Sequence, residues 1–296
     1  MELIGYLVGL LVGVIMGLLG GGGSLLLPVM LFKFHPATQI ATAHTTILVG
    51  ITALFGLIPR WRKKLVDWPS VLALGIPVSL GMLFARFWLI QIIPDTLTYI
   101  GSIPITKRMV VLFPFVIVLL LSYATMVGFV GKNFRPRENM RNDSPVFYYS
   151  LLVVLGFLIG AVPGIAGAGG GVLIVPLLVI MFGLPIKTVV GTSLAIVTMK
   201  SFVGFTGDIY NLGPAIKYDF LATFSILMIV GALIGSQLSN KVDADKLKKM
   251  FAWFILSLAV FITAKEIFTA VIGGPTVVAP TPVESEQPNT IPSLQE

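Results

Sequence analysis

Long apolar runs decide what this chain can fold into before any single residue does. Segments 38–58, 69–92, 107–130, 187–206, 217–237 and 250–270 are predominantly apolar, and each approaches the ~20 residues a helix needs to cross a ~30 Å hydrocarbon layer. In lipid every backbone N–H and C=O must be satisfied internally, so such runs cross as helices or as closed barrels. Barrel strands alternate apolar with polar residues, whereas these runs are continuous. The expected fold class is an all-α polytopic protein, multi-pass in the cell (plasma or inner) membrane, and strands are not expected. Composition agrees: 11% of residues are charged and the mean hydropathy is +0.97, against about 25% charged in soluble domains. The net charge of +7 does not point to nucleic acid, because most Lys and Arg lie between the runs, where they orient the chain. The chain has no cysteine, which excludes disulfides and thiol chemistry. The opening MELIGYLVGL lacks the basic start and small-residue cleavage site of a signal peptide.

Two further apolar runs, 3–34 and 147–183, are broken by glycine. The first carries GLLGGGGS at 17–24 and continues SLLLPVML; the second carries GIAGAGGG at 164–171 and continues VLIVPLLV. Gly21, Gly22 and Gly23 align with Gly169, Gly170 and Gly171, and Pro28 aligns with Pro176 at the same offset. Pro36 then matches Pro185, and Thr42 matches Thr192. Upstream, Gly9, Gly13 and Gly17 correspond to Gly156, Gly160 and Gly164, a four-residue spacing that lines one helix face and admits a close neighbour. The chain therefore reads as a first repeat at 1–130, a cytoplasmic linker at 131–146, a second repeat at 147–272 and a Pro-, Thr- and Glu-rich tail at 273–296 that is expected to be disordered.

Charge then chooses the topology. If every apolar segment crossed, loop Lys and Arg would divide almost evenly between the two faces. If each glycine-broken run instead enters and returns as a hairpin, the loops at 59–68, 131–146 and 239–249 share one face with Lys187. Only Lys33, Lys107, Arg108 and Lys217 then remain opposite, the bias expected for a cytoplasmic face. Run 3–34 would also measure about 48 Å as one continuous helix, too long for an upright span. Three crossings per block turn the second block upside down relative to the first, a frequent transporter design. The N-terminus and tail are then outside.

Two inverted hairpins can bring their glycine tips together near the midplane. A helix begins at each tip, near Ser24 and near Gly171, and a helix start carries unpaired N–H groups and about half a positive charge. Gly21, Gly22, Gly23, Ser24, Gly169, Gly170 and Gly171 are thus expected to hold a small anion with neither metal nor arginine. The first cluster lacks the lysine of a nucleotide-binding loop.

The paired glycine tips, the apolar runs with one proline, and GTSLA at Gly191 to Ala195 resemble the TauE/SafE sulfite-exporter family over about residues 3–272. The resemblance implies transport of small sulfur oxyanions and organosulfonates, with sulfite as the reference substrate. The first repeat departs from GTSLA, reading ATAHT at Ala41 to Thr45.

Side chains extend the candidate site. Thr192 and Ser193, with Thr42, Thr45 and Thr46 opposite, either donate to the anion or bond back to their own helix carbonyls. His44 either donates to the anion and titrates, or rests on a neighbouring carbonyl. Lys200 lies inside a span, where charge is expensive and usually functional, but near enough to the outer third to snorkel. Arg86 is expected to be an interfacial anchor beside Trp88, and Lys265 is expected to pair with Glu266. All 13 Asp and Glu are expected in loops, span ends or tails, which favours an anionic substrate over a cation. Ser193 and His44 lack a third orienting group and no zinc-ligand spacing occurs, so no enzyme, metal or cofactor is expected. The partners expected are a small anionic substrate and the bilayer, with a homo-oligomer open. An alternating-access carrier leads; an anion channel, or a carrier of other small carboxylates or oxyanions, is the alternative.

Overall fold

In a computed structural model the described residues are 2–21, 38–89, 96–100, 103–127, 145–166, 171–212 and 218–271. Gly22, Gly23, Ser24, Gly169, Gly170, Pro28, Pro36, most of the linker and the tail lie outside them, as do the side chains of Lys265 and Glu266.

Nine α-helices occur among the described residues: α1 Glu2–Leu19, α2 Thr38–Arg62, α3 Trp68–Phe84, α4 Lys107–Val127, α5 Pro145–Ala166, α6 Gly171–Phe182, α7 Ile186–Leu212, α8 Tyr218–Lys241 and α9 Ala244–Val271. Among the described residues, six helical stretches are long and apolar enough to cross a bilayer: Ile40–Arg62, Trp68–Leu89, Val146–Gly164, Ile186–Tyr210, Leu221–Lys241 and Ala244–Ala264. The 12 residues of α6 rise only about 18 Å, short of the hydrocarbon thickness. One expectation fails outright. Between α3 and α4 the chain forms a small antiparallel hairpin, β1 Thr96–Ile100 and β2 Ile103–Thr106, with Tyr99 opposite Pro104. Period-2 reasoning excluded strands as membrane spans and was silent on a short connecting hairpin.

The glycine triplets explain the tightest packing. Along α1, Gly9 faces the Phe224 ring, Gly13 the Met228 backbone and Gly17 the backbone of Ala232 and Ser236, all on α8. Along α5, Gly156 faces Leu74 and Pro77, Gly160 the Val78 backbone and Gly164 the side chain of Ala85, on α3 and the turn after it. A methyl at Gly13, Gly17 or Gly160 would run into a backbone carbonyl. Without a hydrophobic drive between helices in lipid, such backbone approach is a main source of association.

Around these pairs, α2 packs on α7, α3 on α7, α2 on α8 and α4 on α9. Exchanging α1 with α5, α2 with α7, α3 with α8 and α4 with α9 returns the same set of packed pairs. At the centre α2 and α7 run antiparallel, with Gly50 against Ser201 and Gly56 against Leu194. They are the two most enclosed of the candidate spans, with 78% and 67% of their apolar windows buried.

Local signals set the turns. Gly183 adopts φ +58, a left-handed helix end that glycine enters without strain, and its N–H bonds the Val179 carbonyl. After α2, Lys64 takes φ 57 and the Leu65 N–H returns to the Arg60 carbonyl. Asp67 then caps α3, accepting from the Ser70 N–H at 3.1 Å and from its hydroxyl.

Candidate functional site

The described edges of the two glycine clusters, Gly21 and Gly171, touch. The chain leaves α1 through Gly20, whose φ of +81 is open to glycine and strained for other residues. Gly21 then lies against Gly171, the first residue of α6. A Cβ on Gly21 would stand 2.8 Å from the Gly171 Cα, and one on Gly171 would overlap the Gly21 carbonyl. Only bare backbone fits on both sides. Because α6 starts at Gly171, its first turn presents N–H groups without helical acceptors.

The GTSLA segment lies against this junction and against the loop before α3. Gly191 admits the Leu65 carbonyl, and the Thr192 Oγ1 accepts the Asp67 N–H at 3.0 Å. Ser193 faces the other way: its hydroxyl abuts Gly20 and donates to the Val190 carbonyl at 2.9 Å. Ser193 is thus brought to the tips, whereas Thr192 secures the loop.

On α2, Thr45 donates back to the Ala41 carbonyl at 2.8 Å and Thr46 to the Thr42 carbonyl at 2.9 Å. Their oxygens can still accept. Arg86 Nη1 donates to Thr42 Oγ1 at 3.2 Å and Nη2 to Thr46 Oγ1 at 2.9 Å. His44 is fully buried on the same helix.

Two expectations about charge are overturned here. Arg86 is no interfacial anchor: it is 2% exposed and forms a 2.9 Å ion pair with Asp208, while Trp88 next to it is open at 61%. A five-residue π-helical segment, Ala85–Leu89, continues α3, and Arg86 within it reaches both α2 and α7. The carboxylates keep to loops, span ends and tails among the described residues, yet Asp208, at the end of the Ile186–Tyr210 span, is buried. α7 does not stop at 206 but runs to Leu212, which carries Asp208 inward to 3% exposure. Pairing removes the reason to expect it exposed, because buried charges persist where a counter-charge and hydrogen bonds meet them. Lys200 does not snorkel either; it is 1% exposed, within electrostatic reach of Arg86.

The family model for sulfite exporter TauE/SafE matches residues 5–262. The chain belongs to the TauE/SafE family. A probable membrane transporter protein of Xylella fastidiosa (strain Temecula1) is 27% identical across 83% of this chain and 88% of its own length. YjnA of Bacillus subtilis, also a probable membrane transporter protein, is 28% identical across 81% of this chain and 91% of its own. MJ0441 of Methanocaldococcus jannaschii, named likewise, is 21% identical across 81% and 87%. No solved structure matches. This TauE/SafE protein is a multi-pass membrane transporter.

Three charged residues escaped sequence reasoning. Arg86 reads as an interfacial anchor beside Trp88, and Asp208 as one of the carboxylates of loops, span ends or tails. Arg60 opens the basic RWRKK string and reads as one more loop cation. In the structure its side chain is fully buried, and Nη2 donates to the Gly17 carbonyl at 2.6 Å. The available signal was the apolar run before it, which extends in register into Leu57 and Ile58 and keeps Arg60 on the face of Gly56.

Proposed function

We propose that this TauE/SafE transporter carries small sulfur-containing anions, sulfite or organosulfonates, by alternating access. The anion rests between the two glycine tips near the bilayer midplane. The single observation that carries this reading is the contact of Gly21 with Gly171. Two stretches far apart in sequence, each rich in glycine and each beside a helix end, meet where the chain is enclosed by other helices.

The site comprises the backbone of Gly21, Gly22, Gly23 and Ser24 on one side and Gly169, Gly170 and Gly171 on the other. The Ser193 hydroxyl stands at the first tip. Thr192, Thr45, His44 and Lys200 shape and charge the surroundings. Backbone N–H groups fixed at a helix start suit an oxyanion, since they donate without needing to reorganise. The inverted-repeat reading is supported by the packing set that survives exchange of α1–α4 with α5 and α7–α9. In it, loops 59–68, 131–146 and 239–249 face the cytoplasm, and rocking of one repeat against the other exposes the tips alternately.

The test is counterflow of sulfite and methanesulfonate into proteoliposomes containing the purified full-length protein. A carrier gives saturable uptake that unlabelled sulfonate competes away. Large unitary currents would mark a channel instead, and absence of any anion-dependent flux removes the substrate assignment.

A further inference from the structure

Arg60 holds more hydrogen-bonding capacity than its surroundings use. A guanidinium offers five N–H donors from three nitrogens. Nη2 donates to the Gly17 carbonyl at 2.6 Å, while Nε and Nη1 meet no acceptor among the described residues and the side chain is 0% exposed. No carboxylate pairs with it among the described residues. A buried cation left this far from satisfied is expensive.

Its position is fixed from two directions. Gly17 precedes the Gly20–Gly21 tip by one helical turn. Independently, α2 and α7 cross antiparallel, with Gly50 at Ser201 and Gly56 at Leu194. One turn beyond Gly56, Arg60 therefore falls level with Val190, the residue that Gly20 packs against. Both constraints put the guanidinium behind the first tip. The second tip offers a contrast. There Ala85 packs against Gly164, and the adjacent Arg86 is met by Asp208, Thr42 and Thr46. One arginine is neutralised; the other keeps its donors.

We propose that Arg60 is the charged binding residue of the anion site, taking two oxygens of one small oxyanion on an unpaired two-donor edge of its guanidinium. Whichever Nη2 hydrogen Gly17 takes, one two-donor edge stays complete, and such an edge matches two oxygens of a sulfonate or sulfite. The site then adds a fixed positive charge to the backbone donors proposed above, and the expectation of a site without arginine is set aside. The identity of the anion rests on the transport reading above; the anion-binding role of Arg60 does not.

The experiment uses purified full-length protein, with methanesulfonate binding read by thermal stabilisation and sulfite transport by counterflow. Arg60→Lys keeps the charge and loses the fork; Arg60→Gln loses both. Lysine is expected to weaken methanesulfonate binding about tenfold and glutamine about a hundredfold, with the anion-free melting temperature of Arg60→Lys near the wild-type value. Should neither variant fold, the wild type supplies the answer: saturating methanesulfonate should protect Arg60 from phenylglyoxal, read by peptide mass spectrometry. Wild-type affinity in Arg60→Lys and Arg60→Gln, or phenylglyoxal modification of Arg60 at the same rate with and without anion, overturns the proposal. Normal sulfite transport by both variants would sink Arg60 and leave the transport reading standing. Protection of Arg60 by formate or phosphate in a protein that carries no sulfur anion would do the reverse.

Discussion

Adding one methyl at Gly171 tests the meeting of the tips. A Cβ there would lie 2.7 Å from the Gly21 Cα and closer still to its carbonyl. Carbon atoms rest at about 3.5–4.0 Å, so the two backbones must part by roughly 1 Å. Neither partner is a flexible side chain that could turn aside. Overpacking of this kind costs about 1–3 kcal/mol. Losing one hydrogen bond to a charged ligand adds roughly 1.5–3 kcal/mol to binding, or about one to two decades in affinity. Gly56→Ala is the matched control, because its Cβ would sit 3.6 Å from Ala232 and Leu194 carbons, an ordinary contact. That change should be neutral or stabilising by about 0.5–1 kcal/mol, since alanine outranks glycine inside a helix. The assay is the melting temperature of the purified protein together with sulfite counterflow in proteoliposomes. Gly171→Ala should assemble, melt earlier and transport at least tenfold less, while Gly56→Ala keeps its activity. Equal behaviour of the two variants would refute the close approach of the tips.

Other consequences concern the frame around the site. Removing either Arg86 or Asp208 alone leaves a buried charge unpaired and should lower stability by about 3–5 kcal/mol, whereas the double change Arg86→Met with Asp208→Leu should recover most of it; melting temperatures of the three proteins decide this. Asp67→Ala deletes the cap of α3 and should cost about 0.5–2 kcal/mol, with Asp67→Asn close to wild type, measured in the same way.

Sequence periodicity made the helices legible because lipid allows so few alternatives. Gly9, Gly13 and Gly17 announce a contact face by spacing alone, and their counterparts in α5 do the same. What spacing cannot supply is the identity of the opposing surface. Arg60, Arg86 and Asp208 each sit at the end of an apolar run, where charge normally meets water. Their burial depends on a carbonyl, a carboxylate or two threonines arriving from another helix. The π-helical segment at Ala85–Leu89 leaves no mark in hydropathy because it lies within the apolar run 69–92, and the extension of α7 to Leu212 leaves none because that run fades after 206. Ser193 and Thr192 were read together, yet neighbouring residues on a helix point about 100° apart, and they serve the tip and the loop separately.

Anomalous diffraction from the protein grown with selenite, the heavier analogue of sulfite, examines the central claim without an activity assay. A selenium peak in the space where Gly21 meets Gly171, within hydrogen-bonding distance of backbone N–H groups on both sides, is the predicted result. Selenium bound only at the loops, or a full-occupancy peak remote from both glycine clusters, would contradict it.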